Sequence, residues 1–296
     1  MIIREKPGPL QLIFAMRGSI LPKILPELLL ILALSTAITL WDSWTGRILH
    51  LGSTPFALFG VALSLFLGFR NNAAYDRWWE ARKLVGGLLA DSRALAREAE
   101  LFLPDTAARH RLLRLILAFH HLHRCALRDM PPDAPANDRA KSAGLAQATP
   151  AGALDAMNDI LATAHRSGGM DGFGALSLSS RLAAFAHGLT GCERIATTPL
   201  PYVYTMLIYR TTWLYCLLLP LALLDSAGWL TPLFAGIVGY TFLGLAEVTE
   251  ELAQPFRLTE NALPMNAICR NAEISLAPHL GERPPAPLAP IAFRLD

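Results

Sequence analysis

A chain of 296 residues that is 53% hydrophobic and 17% charged, with a mean hydropathy of +0.35, leans toward the membrane class. Soluble domains average about 45–50% apolar and about 25% charged residues. A net charge of +2 without a long basic block argues against a nucleic-acid partner, and four dispersed cysteines (Cys125, Cys192, Cys216, Cys269) support neither a disulfide framework nor a zinc ribbon.

The N-terminal stretch MIIREKPGPLQLIFAMRGS has no signal-peptide cleavage pattern. Arg4, Lys6 and Arg17 read there as cytoplasmic flanking charges. Two apolar runs follow, Ile24–Trp41 and Pro55–Phe69, and two more come late, Met206–Leu224 and Leu230–Ala246. A spanning helix needs about 17–25 mostly apolar residues, so the second run is short for an isolated span facing lipid. Short loops at 42–54 and 225–229 join the runs into two hairpins. Those loops carry Arg47 as their one strong base, whereas the N-terminus, the 70–200 insert and the stretch after 250 hold nearly all the others. The positive-inside rule places both termini and the insert in the cytoplasm of a multi-pass protein.

The insert reads as helical. Tyr75, Trp78, Trp79, Leu84, Val85, Leu88 and Leu89 recur at helical spacing within Asn71–Leu103, and Pro104 stops the run. His110–Leu127 follows, then a Pro/Ala/Asp-rich mobile loop over Met130–Ala151 and helices near Leu154–His165 and Leu176–Ala196. Pro199 and Pro201 make a stiff elbow before the third apolar run. GERPPAPLAPIAFRLD at the end reads as an extended tail. The fold class is all-α: four transmembrane helices in two hairpins with a helical cytosolic domain. Its segments are 1–70, 71–200, 201–250 and 251–296.

From Pro55 to Leu103 the pattern is nearly unbroken, a rod of about 70 Å, or twice a bilayer core. Val61, Leu65 and Phe69 recur on it at i, i+4 and i+8 and share one stripe. Repeated around a symmetry axis, that stripe forms an apolar collar that gates by dewetting or sets selectivity. Spacing alone favours ordinary bundle packing, because apolar stripes on helices are usually core.

FLGFRNNAAYDRWWEAR, GCERIATTPLPYVYTMLIYRTTWLYCLLLPLALL and EVTEELAQPF resemble the bestrophin family in its bacterial branch, in matching order over roughly residues 10–280. The resemblance implies a homopentameric ion channel in the bacterial inner membrane, with one pore on the five-fold axis. It puts the three neck positions on Val61, Leu65 and Phe69; Asn72, three residues beyond Phe69 on the helix, is the candidate for a further pore-facing polar residue. An aliphatic residue at the middle position, Leu65, implies passive conduction of monovalent cations such as sodium. The alternatives are a chloride channel of the same architecture, a secondary transporter or a membrane-anchored binding module. Animal members bind calcium in an acidic run after NPF. Here QPFRLTENALP carries one carboxylate, Glu260, against the 6–8 oxygen ligands calcium takes, so no comparable calcium switch is expected. The resemblance also implies a second constriction within Met170–Leu178.

Three further clusters stand out. FHHLHR brings His120, His121 and His123 together without an accompanying acid, which reads as surface or subunit-contact histidines rather than a metal site. Asp76, Arg77, Glu80, Arg82 and Lys83 form a mixed-sign face suited to ion pairing, and Trp78 and Trp79 suit packing between neighbouring rods. Glu247, Glu250 and Glu251 either feed a vestibule or anchor near Arg210 or Arg194. No hydrolase triad, phosphate loop or dinucleotide fingerprint is present, so neither an enzyme nor a cofactor is expected.

Overall fold

The computed structural model describes residues 1–3, 8–48 and 50–296, so the sequence expectations for Arg4 and Lys6 fall outside the described residues. Its regular structure is helical, and the bridges Ile2–Arg294 and Ile291–Arg294 are the β-type pairings among the described residues. The helices in chain order are α1 Pro9–Ile13, α2 Leu21–Thr45, α3 Ser53–Phe102, α4 Thr106–Leu127, α5 Ala134–Ser142, α6 Pro150–Arg166, α7 Gly172–Thr197, α8 Tyr202–Ala227, α9 Thr231–Leu252 and α10 Met265–Leu276. The chain divides into two compact units: Met1–Arg4, Trp79–Thr198 and Pro255–Asp296 form one, and Glu5–Trp78 and Pro199–Gln254 the other.

The second unit is built from α2, the first half of α3, α8 and α9. Among the described residues, three helical stretches are long and apolar enough to cross a membrane: Leu21–Thr45, Ser53–Phe102 and Tyr202–Leu252. The last doubles back at Gly228, whose φ of 50° and ψ of −123° suit glycine, so α8 and α9 pack side by side. Helix α2 lies along both, burying Ile24, Ile31, Ser35 and Thr39 and leaving Leu25, Leu29, Leu30 and Leu34 outward. Glycine at 236 permits the α2–α9 approach, because a Cβ there would stand 2.7 Å from the Leu32 side chain. In the loop between α2 and α3, His50 pairs with Asp225 and, at 3.1 Å, with Asp42.

The first unit centres on α4, which touches α5, α6, α7 and α10. Leu112, Leu113, Leu115, Ile116 and Phe119 of α4 are fully buried. Burying a side chain of this kind stabilises the fold by about 1.5–3 kcal/mol relative to leaving it exposed. Phe119 meets Phe185 of α7 edge to face at 5.2 Å.

The region read as a mobile loop, Met130–Ala151, instead contains α5 and the first turn of α6. Asp133 caps α5 by accepting from the Ala136 N–H, and Pro135 sits in its first turn, so a Pro/Asp-rich segment became a helix start rather than a linker. The end of the chain is also less free than an extended tail. Residues 282–290 have no regular structure, but Ile3 N–H donates to the Phe293 carbonyl, Leu295 N–H to the Met1 carbonyl, and Arg128 pairs with Asp296. The elbow at Pro199 and Pro201 lies between α7 and α8, where the two units divide.

Candidate functional site: one face of a fifty-residue helix

At 100° per residue, Val61, Leu65, Phe69 and Asn72 fall within an arc of about 80° on α3. Leu63, Leu67, Arg70 and Ala74 fall on the opposite side. Burial follows this division: Val61, Leu65 and Phe69 are 68%, 56% and 62% exposed, whereas Leu63, Leu67 and Ala74 are 3%, 0% and 0% exposed. Asn72 is exposed as well. Four consecutive turns therefore present large apolar groups, then an amide, away from the rest of the chain. Ser64 Oγ turns back to the Val61 carbonyl at 2.8 Å, so its hydroxyl is satisfied within the helix.

The packed face explains why α3 holds this rotation. Leu63 and Leu67 join Ile208, Tyr215 and Leu219 of α8 in one apolar cluster. The Tyr215 ring sits against Phe56 and Phe59, with centroids 6.1 and 5.7 Å away, and its hydroxyl lies where a Cβ at Gly60 would come within 2.7 Å. Residue 60 must therefore be glycine, or Tyr215 must move. Further along the packed face, the buried Arg70 guanidinium donates to Thr205 Oγ1 at 3.0 Å and Glu250 Oε2 at 3.1 Å. Arg77, seven residues on and on the same face, donates to the Ala253 carbonyl at 2.8 Å. Both contacts tie α3 to the end of α9.

These contacts also place the three glutamates. Neither Arg210 nor Arg194 holds them: Lys23 binds Glu247 at 2.9 Å and Glu251 at 2.7 Å, and Arg70 binds Glu250. Lys23 and Arg70 lie in the same unit as the glutamates, while Arg194 lies in the other and pairs with Glu80. Glu80 thus makes its ion pair across to α7 rather than along α3. Sequence reading missed Arg70 as a partner because 180 positions separate it from Glu250; its place opposite the stripe was the available signal.

In the first unit, Asp171 caps α7 by accepting from Gly174 N–H at 2.7 Å. Within the window Met170–Leu178, Met170, Gly174 and Leu178 are buried, while Phe173 and Leu176 are 81% and 67% exposed on successive turns.

The histidines are not surface residues. His120, His121 and His123 are 4%, 8% and 2% exposed, because α4 is apolar nearly all round and packs on every side. His120 meets Ser92 Oγ at 2.7 Å, and His121 meets Glu273 at 3.0 Å. Glu273 also takes Arg139 at 2.8 Å and Arg270 at 3.2 Å. Burial pushes His120 down to about 3, with the neighbouring histidines adding to it, and pushes His123 down to about 4. For Glu273, burial works against the charge, but the His121 hydrogen bond and the Arg139 charge outweigh it and hold the carboxyl at about 2. Among the described residues, no three His, Cys, Asp or Glu side chains converge as a metal-ligand set.

Residues 1–278 match the family model described as bacterial/fungal bestrophin protein. A voltage-dependent anion channel-forming protein of Mesorhizobium japonicum is 45% identical over 290 residues, covering 96% of this chain and 94% of that one. The protein of the same description from Escherichia coli K12, YneE, is 40% identical over 285 residues, covering 93% of each. Among solved structures, a bacterial bestrophin homologue from Klebsiella pneumoniae superposes with a TM-score of 0.81 at 34% identity, covering 88% of this chain and all of that one.

Proposed function

Because this chain belongs to the bestrophin family of ion channels, we propose that it conducts small monovalent ions passively through a neck lined by Val61, Leu65 and Phe69, with Asn72 at its cytoplasmic mouth. The observation that carries this reading is the α3 face itself, with large apolar side chains over half exposed on a helix whose other face is packed and pinned. A single copy leaves that face unpartnered. Five copies around an axis turn it into a closed apolar constriction, where ions pass only after partial dehydration.

In this reading α2, the first half of α3, α8 and α9 make four crossings of the bacterial inner membrane, with both termini cytoplasmic. The stretch 71–200 forms the vestibule wall, preceded by 1–70 and followed by 201–250 and 251–296. Within the 170–178 window, Phe173 and Leu176 are the large side chains exposed on α7 and open to forming a second constriction. Lys23 pairs with Glu247 and Glu251, and Arg70 with Glu250, so two cations stand against three carboxylates and each copy keeps a net negative charge at this level.

For the sign of the ion, two observations pull apart. The relatives named above are described as anion channel-forming, which speaks for chloride. Leu65, aliphatic where an aromatic ring edge would favour an anion, speaks for sodium. Purified protein in a planar bilayer under asymmetric NaCl separates them: the reversal potential moves toward the equilibrium potential of the permeant ion. Absence of any conductance in repeated incorporations overturns the channel reading.

A further inference from the structure

The membrane-type unit contains a cavity of about 270 Å³ away from the neck face, lined by Lys23, Glu27, Arg70, Trp213, Glu247 and Glu250. Most of these charges are already matched, Lys23 with Glu247 and Glu251, and Arg70 with Glu250 and Thr205. Three buried polar atoms on the lining have no hydrogen-bond partner among the described residues: Glu27 Oε2, Arg70 Nε and Trp213 Nε1. Arg70 is 8% exposed, so its Nε–H has no ready access to bulk solvent. Buried donors and acceptors are almost always satisfied, and a group of three at one cavity needs an occupant.

The polarity of the three atoms restricts that occupant. Arg70 Nε and Trp213 Nε1 are donors and call for an acceptor. Glu27 Oε2 belongs to a carboxylate with no ion-pair partner among the described residues, and calls for a donor or a positive charge. An anion alone serves the first two and repels the third. A metal cation serves Glu27 and leaves both donors unmet. A molecule with both signs a few bonds apart meets all three.

Location narrows it further. Lys23, Arg70 and Glu247 are where the apolar runs of α2, α3 and α9 meet their first charges, which is the level of lipid head groups in a membrane-crossing unit. We propose that this cavity binds the head group of phosphatidylethanolamine, its phosphate oxygens accepting from Arg70 Nε and Trp213 Nε1 and its primary ammonium donating to Glu27. A choline head group brings no N–H to Glu27, and a glycerol head group brings no cation.

The test is a binding measurement that needs no ion current, so it stands or falls apart from the channel reading. The full chain in detergent is titrated with phosphatidylethanolamine, phosphatidylcholine, phosphatidylglycerol and soluble phosphoethanolamine, read by native mass spectrometry and thermal shift. The expected result is preferential retention of phosphatidylethanolamine, weakened by roughly tenfold or more in Glu27→Gln through loss of a charge-assisted hydrogen bond. Trp213→Phe, which keeps the ring and removes one donor, weakens retention too and serves if Glu27→Gln folds poorly. Equal retention of the three lipids, as water filling the cavity would give, overturns the proposal, and so does retention unchanged in both variants. A full shift from soluble phosphoethanolamine overturns the lipid source.

Discussion

The two units differ in what they turn outward. In the unit containing α2, α8 and α9, large apolar side chains such as Leu29, Leu30, Trp44, Leu58, Leu233 and Ile237 lie outward, while Arg70, Thr212, Thr231 and Glu251 are buried. In the unit built on α4, the interior is leucine-rich, and its buried charges gather around Glu273 and Arg124. Helix starts differ in part as well. Asp105, Thr149 and Asp171 each cap a helix of the α4 unit by accepting a backbone N–H, as Asp133 does for α5. At the start of α2, Ser19 Oγ accepts from the Leu21 N–H, and the residues that precede α8 and α9, Pro201 and Leu230, offer no side-chain cap. One unit is built to face water and the other to face an apolar medium. Helix α3 belongs to both, so its residues obey different rules along one rod.

That contrast can be broken most strongly at Glu273. Glu273→Gln strands His121, Arg139 and Arg270 around a neutral amide, with an expected loss of about 3 kcal/mol or more, read as a lowered unfolding midpoint in detergent. A midpoint unchanged from wild type would mean that the buried charges of this unit are not what organises it.

Acid should act on the same unit next. His120 and His123 are held neutral, near 3 and 4 against an ordinary 6.5, so the stability this represents is complete above pH 6.5 and drains away as pH falls toward 4. For His123 that is on the order of 3 kcal/mol. Glu273 adds a second loss between its ordinary 4.5 and about 2. Midpoints measured from pH 7.5 to 4 should decline in wild type and decline less steeply in His123→Phe, where His120 still titrates. Equal slopes in the two proteins would remove His123 from this account.

Leu67 and Leu65 sharpen the comparison within one helix. Leu67→Ala opens a void against α8 and should cost about 2 kcal/mol or more. Leu65→Ala, two residues away and 56% exposed in the single chain, should change the midpoint of the dissociated protomer by less than about 0.5 kcal/mol while altering single-channel conductance. The reverse ranking would place the packed face and the open face of α3 the wrong way round.

Much of this architecture is legible in the sequence because it is periodic. The rod through FLGFRNNAAYDRWWEAR, the four apolar runs and the stop at Pro199 and Pro201 each follow from a local pattern. The one-sided placement of Val61, Leu65 and Phe69 follows from a spacing of four. The burial of His120 and His123 was harder to see, although LLRLILAFHHLH is apolar around nearly its whole circumference, which a surface helix is not. The start of α5 was legible in the Asp133 cap and Pro135, but proline content masked it. The pairs Arg70–Glu250 and Lys23–Glu251 join positions with no local signal between them, and only the folded chain brings them together.

The central claim is that the Leu65 face borders the ion path. All four native cysteines are buried, so Leu65→Cys adds the one exposed thiol on that face. The direct measurement is bilayer current through Leu65→Cys before and after a charged thiol-modifying reagent, with wild type in parallel. The account predicts that modification blocks or strongly reduces the Leu65→Cys current and leaves wild type unchanged. Full modification of the introduced thiol, verified by mass, with current undiminished, would contradict it.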